Sequence, residues 1–424
     1  MKGENLFSAS RIIVLFLAAR PLLNNIPSDF VLGSILGYNF TILTLWSTLF
    51  LFFCLVRLLQ PPRTDTIAFV LVGALLLHVA IFGLTRIFTP AAVVTDFLYL
   101  LQFFVAVLVA PQVVDDVEFG RLLRLLFFSS IALILIHISA PFWAHKPVFD
   151  SQTGGYIGLF ETKHLEAMTF FSLIPYVFLY YLRYRGKLSL AVLLLLVAFL
   201  FLSFQRTSLL TFFFMILSIL YFSRSLRVAV PALAALLLAL ILLPWEHYLK
   251  FMNEKMVFEY QAYLSGQTEV VGAGRLGVVF FAADWYLNKF SLLQQLVGIG
   301  TAQSYRLYLT LWGYFTYAHI QLVHIFVDYG FVGFLFLFLI FFHIYRYRMA
   351  QLRQKSNWMN IVAMSVFLSL VVEMFYGMPL TSGGTATLNA FWFLTRGTVL
   401  QPEVAFDHSS PEGGSAPIQP IHGN

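Results

Sequence analysis

Long apolar runs alternate with short polar links along most of this chain. The runs fall at 7–24, 38–59, 66–87, 91–112, 121–141, 165–184, 188–204, 207–224, 226–244, 317–345, 357–379 and 384–400. Most approach the roughly 20 residues that an α-helix needs to cross a hydrocarbon core. A helix satisfies its own backbone hydrogen bonds, which is why such runs enter lipid in that form. The pattern predicts an all-α polytopic membrane protein with about 12 transmembrane helices. The first and last runs are the weakest, because Arg20-Pro21 interrupts one and the other is short.

Composition agrees with the pattern. Apolar residues make up 60% of the chain and charged residues 11%, with a mean hydropathy of +0.83. A soluble domain carries about 25% charged residues, so that class is excluded. The formal charge of +6 is therefore read as loop charge that sets orientation, and nucleic acid is not an expected partner. With a cytosolic N-terminus, the basic links Arg57/Arg63, Arg121/Arg124, Arg183/Arg185/Lys187, Arg224/Arg227 and Arg346/Arg348/Arg353/Lys355 all face the cytosol. The short links at 24–30 and 381–385 on the other side hold no lysine or arginine. The single cysteine, Cys54, lies inside an apolar run, so neither a disulfide framework nor a cysteine metal site is expected. No cleavage pattern precedes the first run, which is read as an uncleaved start of the membrane domain, residues 1–401. The Pro-, Gly- and Ser-rich stretch 402–424 is read as a disordered cytosolic tail. No internal repeat is visible.

Two longer segments, 142–164 and 245–316, then face the outer, periplasm-like side, and loops of such length are more often functional than connecting. The unusual polar residues gather on that side. Arg206 lies in LSFQRTSLL between the seventh and eighth runs. It either snorkels to the interface or clamps an anion with its planar donor fork. Arg275 lies in GAGRLGVVFFAADW, among glycines that permit close approach of a ligand, or is a solvated loop arginine. The Gly298-Ile299-Gly300 stretch reads as a turn, and it lacks the continuation of a phosphate loop. His319 opens the tenth run, either as an interfacial cap or as a working imidazole, because ionisable groups at a membrane edge are costly. His324, five residues on, faces another side of the helix and reads as polar bonding within the bundle. Asp328 and Glu373 fall inside runs and are expected to pair with donors or cations; Glu373 could orient an arginine or the histidine. Lys163 and His164 stand at the mouth of the sixth run, where Lys163 is either an anchor or part of an anion site.

Four segments resemble the O-antigen ligase and polysaccharide-polymerase superfamily of bacterial envelope glycosyltransferases, in that family's order. They are GLFETKHLEA, LSFQRTSLL, GAGRLGVVFFAADW followed by LVGIG, and AHIQLVHIFVDYGFVG, in which His319, Gly330 and Gly333 keep the register. The resemblance covers residues 154–345. Three positions depart from it: Ile320 replaces a polar residue, His164 replaces Asn, and Tyr156 stands where many members are basic.

The resemblance implies a GT-C-like architecture in the inner membrane of a bacterium, with an active site facing the periplasm. It implies transfer, with inversion, from an undecaprenyl-diphosphate-linked oligosaccharide to a sugar hydroxyl. Arg206, Arg275 and Lys163 would hold the diphosphate, the arginines stabilising its charge as it leaves. His319 would act as general base, with Glu373, Asp328 and His164 supporting these groups. Such a donor brings its own leaving group, so neither metal nor cofactor is expected, and no outer loop presents a D-x-D pair. Polymerisation of O-antigen or exopolysaccharide repeat units is favoured over ligation to lipid A-core. Beyond the bilayer and the two glycans, a chain-length regulator is a conceivable partner. A transporter or flippase for lipid-linked sugars is the alternative of another class; it expects helix breaks and midplane charges in two matching halves.

Overall fold

The computed structural model describes residues 9–25, 31–35, 38–59, 65–83, 90–113, 116–143, 156–158, 163–203, 205–223, 257, 261, 264–266, 275–301, 303–304, 320–377, 380 and 384–394. They form a helical bundle: α1 (Ala9–Leu23), α2 (Ile42–Leu59), α3 (Thr66–His78, prolonged by a π-turn at Val79–Gly83), α4 (Pro90–Val113) and α5 (Asp116–Trp143). There follow α6 (Lys163–Tyr184), α7 (Lys187–Leu202), α8 (Arg206–Ser223), α9 (Arg275–Asp284, prolonged by a π-turn at Trp285–Lys289) and α10 (Leu292–Val297). The last three are α11 (Gln321–Gln354), α12 (Trp358–Glu373) and α13 (Gly384–Ala390). A short antiparallel hairpin, β1 (Val31–Ile35) with β2 (Tyr38–Thr41), departs from the all-α expectation.

Among the described residues, four helices are long and apolar enough to cross a membrane: Ile42–Leu59, Glu118–Trp143, Leu165–Tyr184 and Gln321–Gln354. Shorter apolar helices accompany them, and together they make this a helical membrane protein. The surface agrees. On α2 the exposed residues Leu45, Leu49, Phe52, Leu55 and Leu59 form one stripe, and on α11 Phe331, Leu335, Phe338, Phe342 and Tyr345 form another. Opposite the second stripe, Gly333, Leu337, Ile340, Ile344 and Arg348 are buried. Both faces of α11 are thus largely apolar, as a helix between lipid and protein requires.

Side-chain contacts fix how the helices run. Ser208 Oγ lies 3.4 Å from Met168 Sδ, so α6 and α8 begin side by side; that end is called the upper end. Arg57 Nε bonds Ser10 Oγ at the lower end, where α2 finishes beside the start of α1. A Cβ on Gly120 would stand 3.0 Å from Arg183 Nη1, which sets the start of α5 against the end of α6. Asp65 caps α3 through the N–H groups of Ile67 and Ala68, and its other oxygen takes His343 Nε2 at 2.8 Å. The basic residues Arg11, Arg57, Arg121, Arg183, Arg185, Lys187, Arg346, Arg353 and Lys355 accordingly sit toward one end of the bundle.

Several boundaries differ from the sequence reading. Pro21 does not interrupt α1: it falls in the last turn, and Asn25 Nδ2 donates to the carbonyls of Pro21 and Leu22. The opening residues of the 38–59 run belong to β2. The 317–345 run extends to Gln354, so Arg348 is a fully buried helix residue, not a link residue. The final run stays helical only to Ala390. It ends in turns whose Phe393 carbonyl accepts Arg348 Nε at 2.7 Å. Residues 386–394 are buried among α1, α4, α6, α11 and α12, with Trp392 against Phe119 and Tyr176, and Phe393 against Phe103, Phe341 and Phe367. The runs at 226–244 and 395–400, the tail 402–424 and most of 245–274 lie outside the described residues.

Candidate functional site at the upper end of the bundle

α11 is broken. Gly330 has φ +66° and ψ −169°, a conformation open almost only to glycine. The preceding carbonyls lose their helical donors there, and in lipid each must find another. All are capped from elsewhere in the chain. Ile299 N–H donates to Val327 O and Gly300 N–H to Asp328 O, both at 3.1 Å, while His78 Nε2 on α3 donates to Tyr329 O at 2.9 Å. The approach is close on both sides. A Cβ on Gly330 would lie 2.4 Å from Gly298 N, and one on Gly298 would lie 2.1 Å from Asp328 O. The Gly298-Ile299-Gly300 turn is therefore the cap of a broken helix.

Just above the break, the i,i+4 pair His324 and Asp328 shares one face of α11 with buried Ser304. Asp328 accepts Ser304 N–H at 2.7 Å and the Ser304 hydroxyl at 3.2 Å, and Ser304 Oγ is 2.6 Å from His324 Nδ1. The carboxylate bonds the serine and not the imidazole, so this is a clamp on the loop and not a nucleophile–base relay. α9 packs here too, with Ala282 against Val327.

The start of α11 is stitched to the end of α12. Gln321 N–H donates to Gly377 O at 2.8 Å, and Gln321 Oε1 accepts Leu380 N–H at 3.3 Å. Glu373, the last residue of α12, is fully buried beside the Thr211 hydroxyl of α8. Tyr376 Oη lies 2.9 Å from the same hydroxyl. The second turn of α8 and the first of α11 are thus joined through the turn that follows α12. Neither Glu373 oxygen has a hydrogen-bond partner, against the expectation that this carboxylate pairs with a donor or cation.

A second polar group closes the other flank. Tyr156 N–H donates to Leu202 O at the end of α7, and its phenol donates to the His137 carbonyl on α5. Burial, with Glu166 close by, pushes that phenol up to about 12, so it remains a donor at any physiological pH. Gly158, at φ +52°, passes so close to His137 that a Cβ would meet Nδ1 at 2.1 Å. His137 Nε2 donates to Asn25 Oδ1 at 3.0 Å, and Asn24 Nδ2 donates to Thr169 Oγ1 of α6 at 3.0 Å. On α1, Arg20 is buried with its guanidinium 4.9 Å from the Trp46 ring centre and Nη1 3.4 Å from Ser47 Oγ.

The sequence-predicted residues map onto this end as follows. Lys163 and His164 open α6, Arg206 opens α8 and Arg275 opens α9; their side chains lie outside the described residues. His319 is itself outside them, two positions before Gln321. Lys163 and Arg206 therefore open helices whose starts gather at the upper end with the start of α11, together with Glu373, His324 and Asp328. Sequence reasoning missed the roles of His78, His137, Asn24, Ser304 and Glu166. The signal was present for three of them, since histidine or glutamate inside an apolar run is itself a flag. The chain matches no protein-family model and no curated protein.

Proposed function

We propose that this chain is a membrane glycosyltransferase of the O-antigen polymerase and ligase kind. It carries twelve spans, lies in a bacterial inner membrane, and has its upper end in the periplasm. It moves a glycan from an undecaprenyl-diphosphate carrier to a sugar hydroxyl. The observation that carries the reading is the gathering of distant segments at one end: the starts of α6, α8 and α11, the end of α12 and the 298–304 loop. Lys163 and Arg206 open two of those helices and His319 precedes the third by two positions in the sequence, on an end otherwise poor in lysine and arginine among the described residues.

The chemistry follows from the charges. A leaving diphosphate gains negative charge, which guanidinium groups and the free N–H groups of a helix's first turn stabilise. Arg206 and Arg275 supply the first, and Arg206 stands where α8 supplies the second. His319 takes the proton of the attacking hydroxyl, a role suited to an imidazole that titrates near pH 6.5 when unperturbed. The lower end, crowded with basic residues, faces the cytosol.

The broken helix is the kind of feature a transporter of lipid-linked sugars would use. Here the Val327, Asp328 and Tyr329 carbonyls are all capped by the protein, and Asp328 is committed to Ser304, which favours a rigid support over an ion site. Polymerase and ligase share this chemistry and differ in the acceptor. Deletion of a polymerase leaves one repeat unit on the final acceptor, whereas deletion of a ligase leaves the acceptor bare. The reading itself is tested with purified protein, lipid-linked donor and acceptor glycan, with and without chelator. Transfer that survives chelation supports it; a wild-type protein that moves the intact donor across vesicles without cleaving it overturns it.

A further inference from the structure

Glu166 is, with Glu373, one of two described upper-end carboxyls whose oxygens have no hydrogen-bond partner, and it is the one with no hydroxyl donor left free beside it. It sits one turn into α6 with none of its surface exposed, and neither oxygen has a hydrogen-bond partner. Three residues on, along the same face, Thr169 holds Asn24 through the amide nitrogen, and Asn24 Oδ1, also buried, is left without a donor. Two hydroxyl donors beside them are already spent. The Tyr156 phenol, close enough to act on Glu166, gives its proton to the His137 carbonyl, and the Thr169 hydroxyl gives its own to Leu165 O. What remains is a set of buried acceptor atoms, from α6 and from the residue that follows α1, with no hydrogen-bond partner. Leaving buried polar atoms unanswered is costly, and such cost persists where a ligand later meets it.

We propose that Glu166 and Asn24 form the acceptor-glycan subsite, each taking a hydrogen bond from a sugar hydroxyl. A polyhydroxylated ring is the donor-rich neutral group that these atoms lack. The diphosphate is excluded as their ligand, because it is itself an acceptor and an anion. This assignment rests on the glycosyltransferase reading. It places the acceptor beside the first turn of α6, next to Lys163, and so within the end where the donor's charge is held. Glu166 here is a binding residue for a hydroxyl, while the proton of the reacting hydroxyl goes to His319.

The test pairs stability with kinetics in Glu166→Leu and Glu166→Gln. Thermal unfolding of purified protein without substrate is followed through the reactivity of Cys54, which is buried in the native state. Transfer is measured by varying the acceptor glycan over a fixed lipid-linked donor. The expected result is that Glu166→Leu melts at or above the wild-type temperature, while its KM for acceptor rises at least tenfold. Glu166→Gln, which keeps one acceptor oxygen, rises less. Melting that falls by several degrees in both variants assigns Glu166 to the fold and overturns the subsite; so does an unchanged acceptor KM in an enzyme that transfers. If wild-type protein transfers nothing, the glycosyltransferase reading fails and the subsite falls with it. If Arg206→Ala and His319→Ala remain active while the Glu166 variants lose acceptor affinity, the donor assignment fails and the subsite stands.

Discussion

Replacing Gly330 with alanine attacks the break in α11 directly. The native φ of +66° lies where an L-residue is strained, which costs about 1–3 kcal/mol. The new Cβ would also stand 2.4 Å from Gly298 N and 2.6 Å from Leu296 O, so the 296–300 turn must withdraw. Withdrawal uncaps Val327 O and Asp328 O, and losing either partner costs a further 1–3 kcal/mol or so. Strain plus one lost cap gives about 2–6 kcal/mol, enough to matter for most folded domains. Cys54 is the only cysteine and is fully buried, so a thiol-reactive fluorophore reports unfolding without added labels. Gly73→Ala is the matched control. It lies inside α3 with nothing within 4 Å of its added Cβ, and alanine there should stabilise by about 0.5–1 kcal/mol. The expected order of unfolding temperature is Gly73→Ala above wild type and Gly330→Ala well below it. A Gly330→Ala protein as stable as wild type would refute the capped break.

His78→Phe should lower stability by about 1–3 kcal/mol in the same thiol assay, because Tyr329 O loses its donor; His78→Gln should cost less if its amide reaches the carbonyl. Asp328→Ala should be more harmful than Asp328→Asn, which keeps an oxygen for Ser304 N–H, and protease nicking near residue 304 would register the loosened loop. In a Cys54→Ala background, Trp143→Cys at the exposed end of α5 should react with an impermeant thiol reagent added outside intact cells. Lys355→Cys should react only after permeabilisation, and the opposite pattern would invert the orientation.

The helices were legible because length and apolarity are properties of single segments. Eleven of the twelve runs overlap a described helix, though not always to the predicted ends, and the remaining one, 226–244, lies outside the described residues. What the sequence hid depends on partners far along the chain. Gly330 and Gly298 read as separate punctuation, and only their contact explains both. The early end of α13 needs buried Arg348, which in a linear reading is one more basic residue beyond a span. The hairpin at residues 31–41 was masked by the apolar run it leads into. For the candidate site, loop charge fixed which residues share an end. Hydrogen bonds from Gln321 to Gly377 and from Asn24 to Thr169 then tied the ends to one another, which no local pattern encodes.

The most direct measurement is glycan transfer by purified Arg206→Ala, Arg275→Ala and His319→Ala proteins, each first shown to insert and to melt like wild type. The account predicts that all three lose transfer from the lipid-linked donor by at least a hundredfold, the cost of about 2.7 kcal/mol of transition-state stabilisation. Wild-type rates in these well-folded variants would contradict it.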